Sequence, residues 1–275
     1  MPANTQVKIQ LKVAFAIMCA LITSAVVAED RVEVSGGVVE GAKIAASDVR
    51  LFKGIPFAAP PIGKLRWQAP APVQPWEGVF KADTWGTHCM QGKMFGLSFV
   101  TRDESMGEDG RYLNVWTPAK KPGEALPVLV VLHGGGFVAG SGSEPRTDGE
   151  WLAKQGIVVV EPNYRLSLFG FLAHPGLSAE SSGRGSGNYG MLDQVAALQW
   201  VQDNIAAFGG NPNDVSVVGV SAGSLSVSAL MASPLSSNMI HKAIGQSGGM
   251  CDSFPREKRE RPLTGKETER GSYAE

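Results

Sequence analysis

Three segments of the chain contain runs of consecutive apolar residues. They are VLVVLHGGG at residues 128–136, IVVVEPNYR at 157–165 and DVSVVGV at 214–220. Strands that are apolar on both faces are typical of a parallel sheet covered by helices. Between residues 190 and 209, apolar residues recur every three or four positions, which predicts a helix, and a second helix is expected from about 222 to 231. This alternation of strands and helices predicts an α/β fold with a mostly parallel sheet.

The region before these strands has a different pattern. Two short segments, VEVSGGVVEG at 32–41 and VRLFKGIPFA at 49–58, are rich in β-branched and aromatic residues and are interrupted by glycines. They predict a small antiparallel sheet at the N-terminal end. The proline-rich stretch 60–75 follows, and its tryptophans need packing partners. We therefore expect an ordered, winding loop there.

The two ends of the chain differ from its middle. Lys8 and Lys12 precede an apolar run at 13–22, and small residues end at Ala28. This pattern predicts a signal peptide over 1–28 that is cleaved after Ala28, and the run is too short for a stable membrane anchor. The expected location is therefore secreted or periplasmic. Residues 252–275 are charged and poor in apolar side chains, so they are expected to form a tail behind a domain at 29–251.

Composition narrows the classes of function. The chain of 275 residues is 43% hydrophobic and 19% charged, with a net charge of −1, which is typical of a folded globular protein and gives no sign of a nucleic-acid partner. No spacing of Cys, His or Asp suggests a metal site, and no cofactor is expected. Residues 185–190, GSGNYG, match a dinucleotide-binding pattern. No strand leads directly into them, so an ordinary loop is the better interpretation.

Two glycine-rich motifs could support acyl transfer. In GVSAGS, at 219–224, a serine stands between two glycines after an apolar strand. This is either a sharp strand-to-helix turn that exposes a nucleophile or a serine that only caps a helix. HGGGF, at 133–137, ends an earlier strand and would let backbone N–H groups approach a carbonyl oxygen. The two motifs in this order favour the nucleophile.

The chain resembles the type-B carboxylesterases, relatives of the cholinesterases with the α/β-hydrolase fold. Five long blocks carry the resemblance: FKGIPFAAPPIGKLRW (52–67), GEDGRYLNVWTP (107–118), VLVVLHGGGFVAGSG (128–142), NYRLSLFGFL (163–172) and GNYGMLDQVAALQWVQDNIAAFGGNPNDVSVVGVSAGS (187–224).

The resemblance implies particular roles for residues. It implies Ser221 as the nucleophile, a small-molecule ester as the substrate, and oxyanion donors at Gly135, Gly136 and Ala222. It also implies two structural ion pairs, Arg66 with Glu108 and Arg165 with Asp193. The oligomeric state stays open.

The sequence departs from the family pattern at several positions. Val220 stands where the family has Glu before the serine, and Gly110 stands where it often has a cysteine partner for a residue like Cys89. Cys251 likewise has no later cysteine to join. The aromatic residues from Phe95 to Phe99 could line an acyl or alcohol site or simply pack in the core.

The acid and histidine of the family lie downstream of the serine, and we expect this chain to end before them. The four histidines, His88, His133, His174 and His241, each favour a structural interpretation, with His241 expected on a helix. The rival hypotheses are a catalytically silent cholinesterase-like binding domain and an inactive gene fragment.

Overall fold

The structure is a computed structural model that describes residues 30–92, 101–103, 105–181 and 185–249. The predicted signal peptide, the charged tail, Cys251 and the aromatic residues from Phe95 to Phe99 lie outside these ranges.

Twelve strands form three sheets within these ranges: β1 (Arg31–Val34), β2 (Gly37–Glu40), β3 (Ala42–Lys43), β4 (Arg50–Pro56), β5 (Val79–Lys81), β6 (His88–Cys89), β7 (Met106–Gly107), β8 (Tyr112–Thr117), β9 (Leu126–Leu132), β10 (Val158–Pro162), β11 (Gly210–Val220) and β12 (Lys242–Gln246). The α-helices described are α1 (Glu150–Ala153), α2 (Ser167–Phe171), α3 (Pro175–Glu180), α4 (Tyr189–Asn204) and α5 (Ala222–Ala232).

The largest sheet has seven strands in the order β12-β11-β9-β10-β8-β4-β3. The pairs β12–β11, β11–β9 and β9–β10 are parallel. The pairs β10–β8, β8–β4 and β4–β3 are antiparallel. The α/β fold predicted from the sequence is confirmed, and the parallel half contains all three apolar segments that predicted it. The other half gives the sheet a mixed character that periodicity alone did not indicate.

The small N-terminal sheet differs from its prediction. It has three strands, with β1 antiparallel to β2, and β2 parallel to β5. The segment at 49–58, which was expected in this sheet, instead forms β4 and pairs antiparallel with β8 in the large sheet. A register shift between Phe52 and Ile55 interrupts that pairing. The alternation that predicts a strand does not specify which sheet the strand joins.

The core lies on both faces of the large sheet. On one face, Val128, Val130 and Leu132 of β9 are buried against apolar residues of α4 and α5. On the other face, Val159 and Trp116 pack with Ala153 of α1. Helices on both faces explain why the central strands are apolar at successive positions.

Among the described residues, the strand β12 forms one edge of the large sheet. All five of its residues are exposed, and Ile244 keeps 48% of its surface accessible. In the described part of the chain, no helix has both the length and the apolar character needed to cross a membrane.

Candidate active site

Ser221 lies at the turn between β11 and α5, as the pattern of its neighbours predicts. The strand ends at Val220 and the helix begins at Ala222. The serine is exposed, with φ of 54° and ψ of −117°. A positive φ is costly for a residue with a side chain and persists only where surrounding contacts hold it. One such contact is the Ser221 N–H, which donates to the carbonyl of Gln246 at 2.7 Å.

The glycines on either side of Ser221 are required by the closeness of the backbone. A Cβ at Gly219 would lie 2.1 Å from the carbonyl oxygen of Gly223. A Cβ at Gly223 would lie 2.2 Å from the carbonyl oxygen of Leu132, the last residue of β9. These separations are shorter than any non-bonded contact, so larger side chains would force the turn open. The turn is therefore packed tightly onto the end of β9.

The segment from Gly134 to Gly140, which we call the glycine loop, lies beside the serine. A Cβ placed on Gly134 would be 3.3 Å from the Cβ of Ser221. Gly135 and Gly136 have φ of 104° and 62°, in the region that favours glycine. The two motifs, about 85 residues apart in sequence, thus meet at the carboxyl ends of neighbouring parallel strands, β9 and β11.

Several carbonyl groups of the glycine loop accept hydrogen bonds within the protein. The Gly135 carbonyl accepts from the N–H groups of Val138 and Ala139, both at 3.0 Å, and the Phe137 carbonyl accepts from the Ser167 N–H at 2.7 Å. In contrast, the N–H groups of Gly135 and Gly136 have no acceptor among the described residues. Ala222 is the first residue of α5, where an N–H has no partner inside its own helix.

The four histidines have other contacts. His133 is buried and stacks on Tyr164 with ring centroids 4.2 Å apart, and its Nδ1 donates to the Gly134 carbonyl at 2.8 Å. Burial lowers the pKa of His133 to about 4. His88 pairs with Asp103, and His174 accepts from the Gly176 N–H at the start of α3.

The sequence suggests that His241 lies on a helix, but the structure places it just before β12. There its Nδ1 accepts from the Val215 N–H at 3.2 Å. None of the histidine contacts described above brings an imidazole to Ser221.

The two expected ion pairs have different surroundings. Arg66 Nε lies 2.5 Å from Glu108 Oε2, and this pair is partly exposed. Arg165 Nε lies 2.8 Å from Asp193 Oδ2, with side-chain exposures of 3% and 0%. Arg111, which the sequence analysis did not single out, is also fully buried and approaches Asp193 at 3.5 Å. An arginine inside the block GEDGRYLNVWTP gave no signal of burial, because its charge suggests the surface.

The thiol of Cys89 is buried and free. Its Sγ donates to the carbonyl of Gly110 at 3.5 Å, and a Cβ on Gly110 would lie 2.7 Å from that sulfur. Burial raises the pKa of the Cys89 thiol far above its usual range. The structure thus places Gly110 beside this thiol, at the position where the family resemblance expects a second cysteine.

The other glycine-rich loop is separate from Ser221. Residues 185–188 precede α4 and form one wall of a cleft of about 630 Å³, together with Trp67, Met191, Leu230 and Leu235. Ser221 does not line this cleft. Across the described ranges, no cluster of His, Cys, Asp and Glu is arranged to hold a metal ion.

Comparisons with known proteins agree with this geometry. A family model described as the carboxylesterase family matches residues 28–269. Fumonisin B1 esterase of Sphingopyxis macrogoltabida is 47% identical over 78% of this chain and 39% of its own length, and para-nitrobenzyl esterase of Bacillus subtilis is 47% identical over 73% and 40%. A solved carboxylesterase of Geobacillus stearothermophilus has 43% identity and a TM-score of 0.72, and the match covers 80% of this chain and 43% of that one.

The fold and the matches together define an α/β-hydrolase. The chain belongs to the carboxylesterase family. It spans about two fifths of the length of the two named relatives, since the matches cover 39% of the first relative and 40% of the second.

Proposed function

We propose that this protein hydrolyses carboxylic esters through Ser221. The observation that carries the proposal is the position of the serine: it is exposed at a strained strand-to-helix turn, beside a loop in which the N–H groups of Gly135 and Gly136 have no acceptor in the described ranges. A serine that only capped a helix would bond its side chain to the helix N-terminus, and Ser221 makes no such bond. The family relationship supports the same reaction class.

The chemistry follows from this arrangement. The Ser221 hydroxyl attacks the carbonyl carbon of the ester and loses its proton, and the carbonyl oxygen becomes negatively charged. The N–H groups of Gly135, Gly136 and Ala222 are suited to stabilise that oxyanion, because backbone donors held in place need no reorganisation during the reaction. Collapse of the intermediate expels the alcohol, which takes up a proton, and leaves an acyl-serine. Water then releases the acid by the reverse sequence and restores the serine.

The proton of Ser221 has no histidine acceptor in the contacts described above. A serine hydroxyl is a weak nucleophile while it is protonated, so we expect the 275-residue chain to turn over slowly. Oxyanion donors and binding alone still accelerate such reactions about 10³-fold over water. The same observation favours a second candidate, a cholinesterase-like domain that binds a ligand without turnover.

The two candidates are separated by a hydrolysis assay on monomeric protein. The substrates are p-nitrophenyl butyrate and a p-nitrobenzyl ester, the latter chosen because a relative is named para-nitrobenzyl esterase. The proposal predicts slow product release that Ser221→Ala abolishes, together with an acyl adduct on Ser221 detected by mass spectrometry. Equal rates for the parent protein and Ser221→Ala would reject the esterase and favour the binding domain.

A further inference from the structure

Gln91 makes an unusual set of contacts with the last residue of the glycine loop. Its Nε2 donates to the carbonyl of Gly140 at 3.0 Å, and its Oε1 accepts from the Gly140 N–H at 2.8 Å. The side-chain amide thus pairs with both backbone groups of one residue, as a neighbouring strand would. The same Nε2 also lies 3.2 Å from the carbonyl of Cys89, which ties the glutamine to β6.

Gly140 is the residue at which the glycine loop closes on itself. Its φ is 124°, and a Cβ there would lie 2.7 Å from the Gly134 carbonyl oxygen and 2.3 Å from Nδ1 of His133. The first and last residues of the loop are therefore in contact. Gly140 is therefore packed against Gly134, and Gly134 in turn lies beside Ser221.

Beyond Gly140, the chain is fixed by a buried polar network. The hydroxyls of Ser141 and Ser143 both donate to Asp103 Oδ2, at 3.0 Å and 2.5 Å, and Asn163 Oδ1 accepts from the Gly142 N–H at 2.8 Å. This network holds the residues after the loop, whereas Gln91 is the side chain that holds the closing residue itself. The two roles are therefore separable by mutation.

We propose that Gln91 is a positioning residue for ester hydrolysis. It fixes Gly140 and thereby sets the distance between the N–H groups of Gly135 and Gly136 and the carbonyl oxygen that Ser221 attacks. The inference rests on the proposed function for its catalytic consequence, but the clamp itself is measurable without turnover. A displacement of about 1 Å in a catalytic group lowers rates about 100-fold, so a side chain that only steers the loop has a large effect on kcat.

The test compares two glutamines that undergo the same chemical change. Gln91→Met removes the clamp and keeps a side chain of similar volume. Gln202→Met is the matched control, because Gln202 also donates to backbone carbonyls, those of Pro212 and Met239, at the opposite end of β11 from Ser221. For each protein, kcat and KM are measured with p-nitrophenyl butyrate after subtraction of the Ser221→Ala rate.

We expect Gln91→Met to lower kcat about 10- to 100-fold with KM within about twofold, since the loss falls on the transition state. We expect Gln202→Met to leave both constants within about twofold. An unchanged kcat in Gln91→Met, or equal losses in the two variants, would overturn the inference.

A pH profile of Gln91→Glu supplies a readout that a purely structural role would not give. An ionised carboxylate accepts from the Gly140 N–H but repels its carbonyl, whereas a protonated carboxyl donates to that carbonyl and restores the clamp. The kcat of Gln91→Glu relative to the parent protein should therefore rise as pH falls through about 4 to 5. A flat ratio would count against the clamp.

Hydrogen exchange decides the inference if the parent protein has no Ser221-dependent rate. In that case the proposed esterase function fails, and the clamp is judged on the amides of Val138, Ala139 and Gly140, which are hydrogen-bonded in the parent protein. They should exchange at least about 10-fold faster in Gln91→Met than in the parent protein, while β9 exchanges at the same rate in both. Unchanged exchange in the loop would reject the clamp independently of any activity.

Discussion

The Asp193 carboxylate faces two buried arginines, and Asp193→Asn should be among the most destabilising changes to the core. Asp193 accepts from the backbone N–H of Arg165 at 3.0 Å, from its Nε at 2.8 Å and from its Nη2 at 2.9 Å. Arg111 approaches the same carboxylate at 3.5 Å. The substitution keeps the shape of the side chain but leaves two buried cations without a counter-charge.

The size of the expected loss in unfolding free energy follows from how little water reaches the three side chains. Their exposures are 0% for Asp193, 3% for Arg165 and 0% for Arg111. Removing one partner of a buried pair costs about 3–5 kcal/mol, because the remaining charge is not solvated. We therefore expect Asp193→Asn to lower the free energy of unfolding by about 3 kcal/mol or more.

Arg111→Met provides the contrast. Among the described residues, Nη1 of Arg111 has a hydrogen-bond partner, whereas Nε and Nη2 are buried without one. Burial also lowers the pKa of Arg111, which means that the fold disfavours its charge. Replacing such a group by an apolar side chain of similar length is often neutral or stabilising, so we expect a change of less than about 1 kcal/mol.

Urea denaturation followed by tryptophan fluorescence measures both variants against the parent protein. The reasoning would be refuted if Asp193→Asn shifted the free energy of unfolding by less than about 1 kcal/mol. It would also be refuted if Arg111→Met were as costly as Asp193→Asn, because the arrangement would then be a balanced triad rather than one strong pair with an extra cation.

Three further changes test other parts of the structure. Burial raises the pKa of Glu161, so the folded state favours the protonated form and loses stability as pH rises above the ordinary value of 4.5. In urea melts, Glu161→Gln should match the parent protein near pH 4 and be more stable than the parent protein at neutral pH. A Cβ on Gly110 would lie 2.8 Å from the backbone N of Cys89, so the backbone must shift before Gly110→Cys can form a disulfide with Cys89. Under oxidising conditions the disulfide should gain about 3 kcal/mol over the reduced form, as measured by thiol titration and thermal melts; a persistent free thiol would show that the backbone does not make this shift. Gly223→Ala should cost at least about 2 kcal/mol and abolish Ser221-dependent hydrolysis. Gly249→Ala should change neither, because no atom of the described residues lies within 4 Å of its Cβ.

The local elements of this fold were predictable because their signals are local. The helix expected at 222–231 spans Ala222–Ala232, and the strand expected at 214–220 lies within β11. The glycines around Ser221 also predict the tight turn, since a close approach of the backbone requires glycine at those positions. What the sequence could not supply was tertiary pairing. The β4 strand could satisfy its alternation in either sheet, and its partner β8 lies some 60 residues away.

Polar residues that act through other residues were also missed. Gln91 follows a two-residue strand and carries no motif, so nothing in its neighbourhood predicts a contact with Gly140, almost 50 residues later. His241 was placed on a helix because it follows one closely in sequence, but it lies beside β11 and contacts Val215. Such contacts depend on which loops converge at the ends of the strands, and this is decided by the assembled sheet.

The anchoring of Ser221 to β12 is expected to make the proposed active site less resistant to heat than the core. The serine N–H donates to Gln246, and the hydroxyl of Ser224 donates to the Gly248 carbonyl at 2.5 Å, so the strained turn is tied to an edge strand with exposed side chains. Edge strands open at a smaller free energy than central ones. When β12 frays, the turn can relax to an ordinary dihedral while β9 and β10 remain intact. On warming, the turn at Ser221 should therefore lose its geometry before the protein loses its secondary structure. The rate at which β12 opens would then limit how long the proposed activity survives.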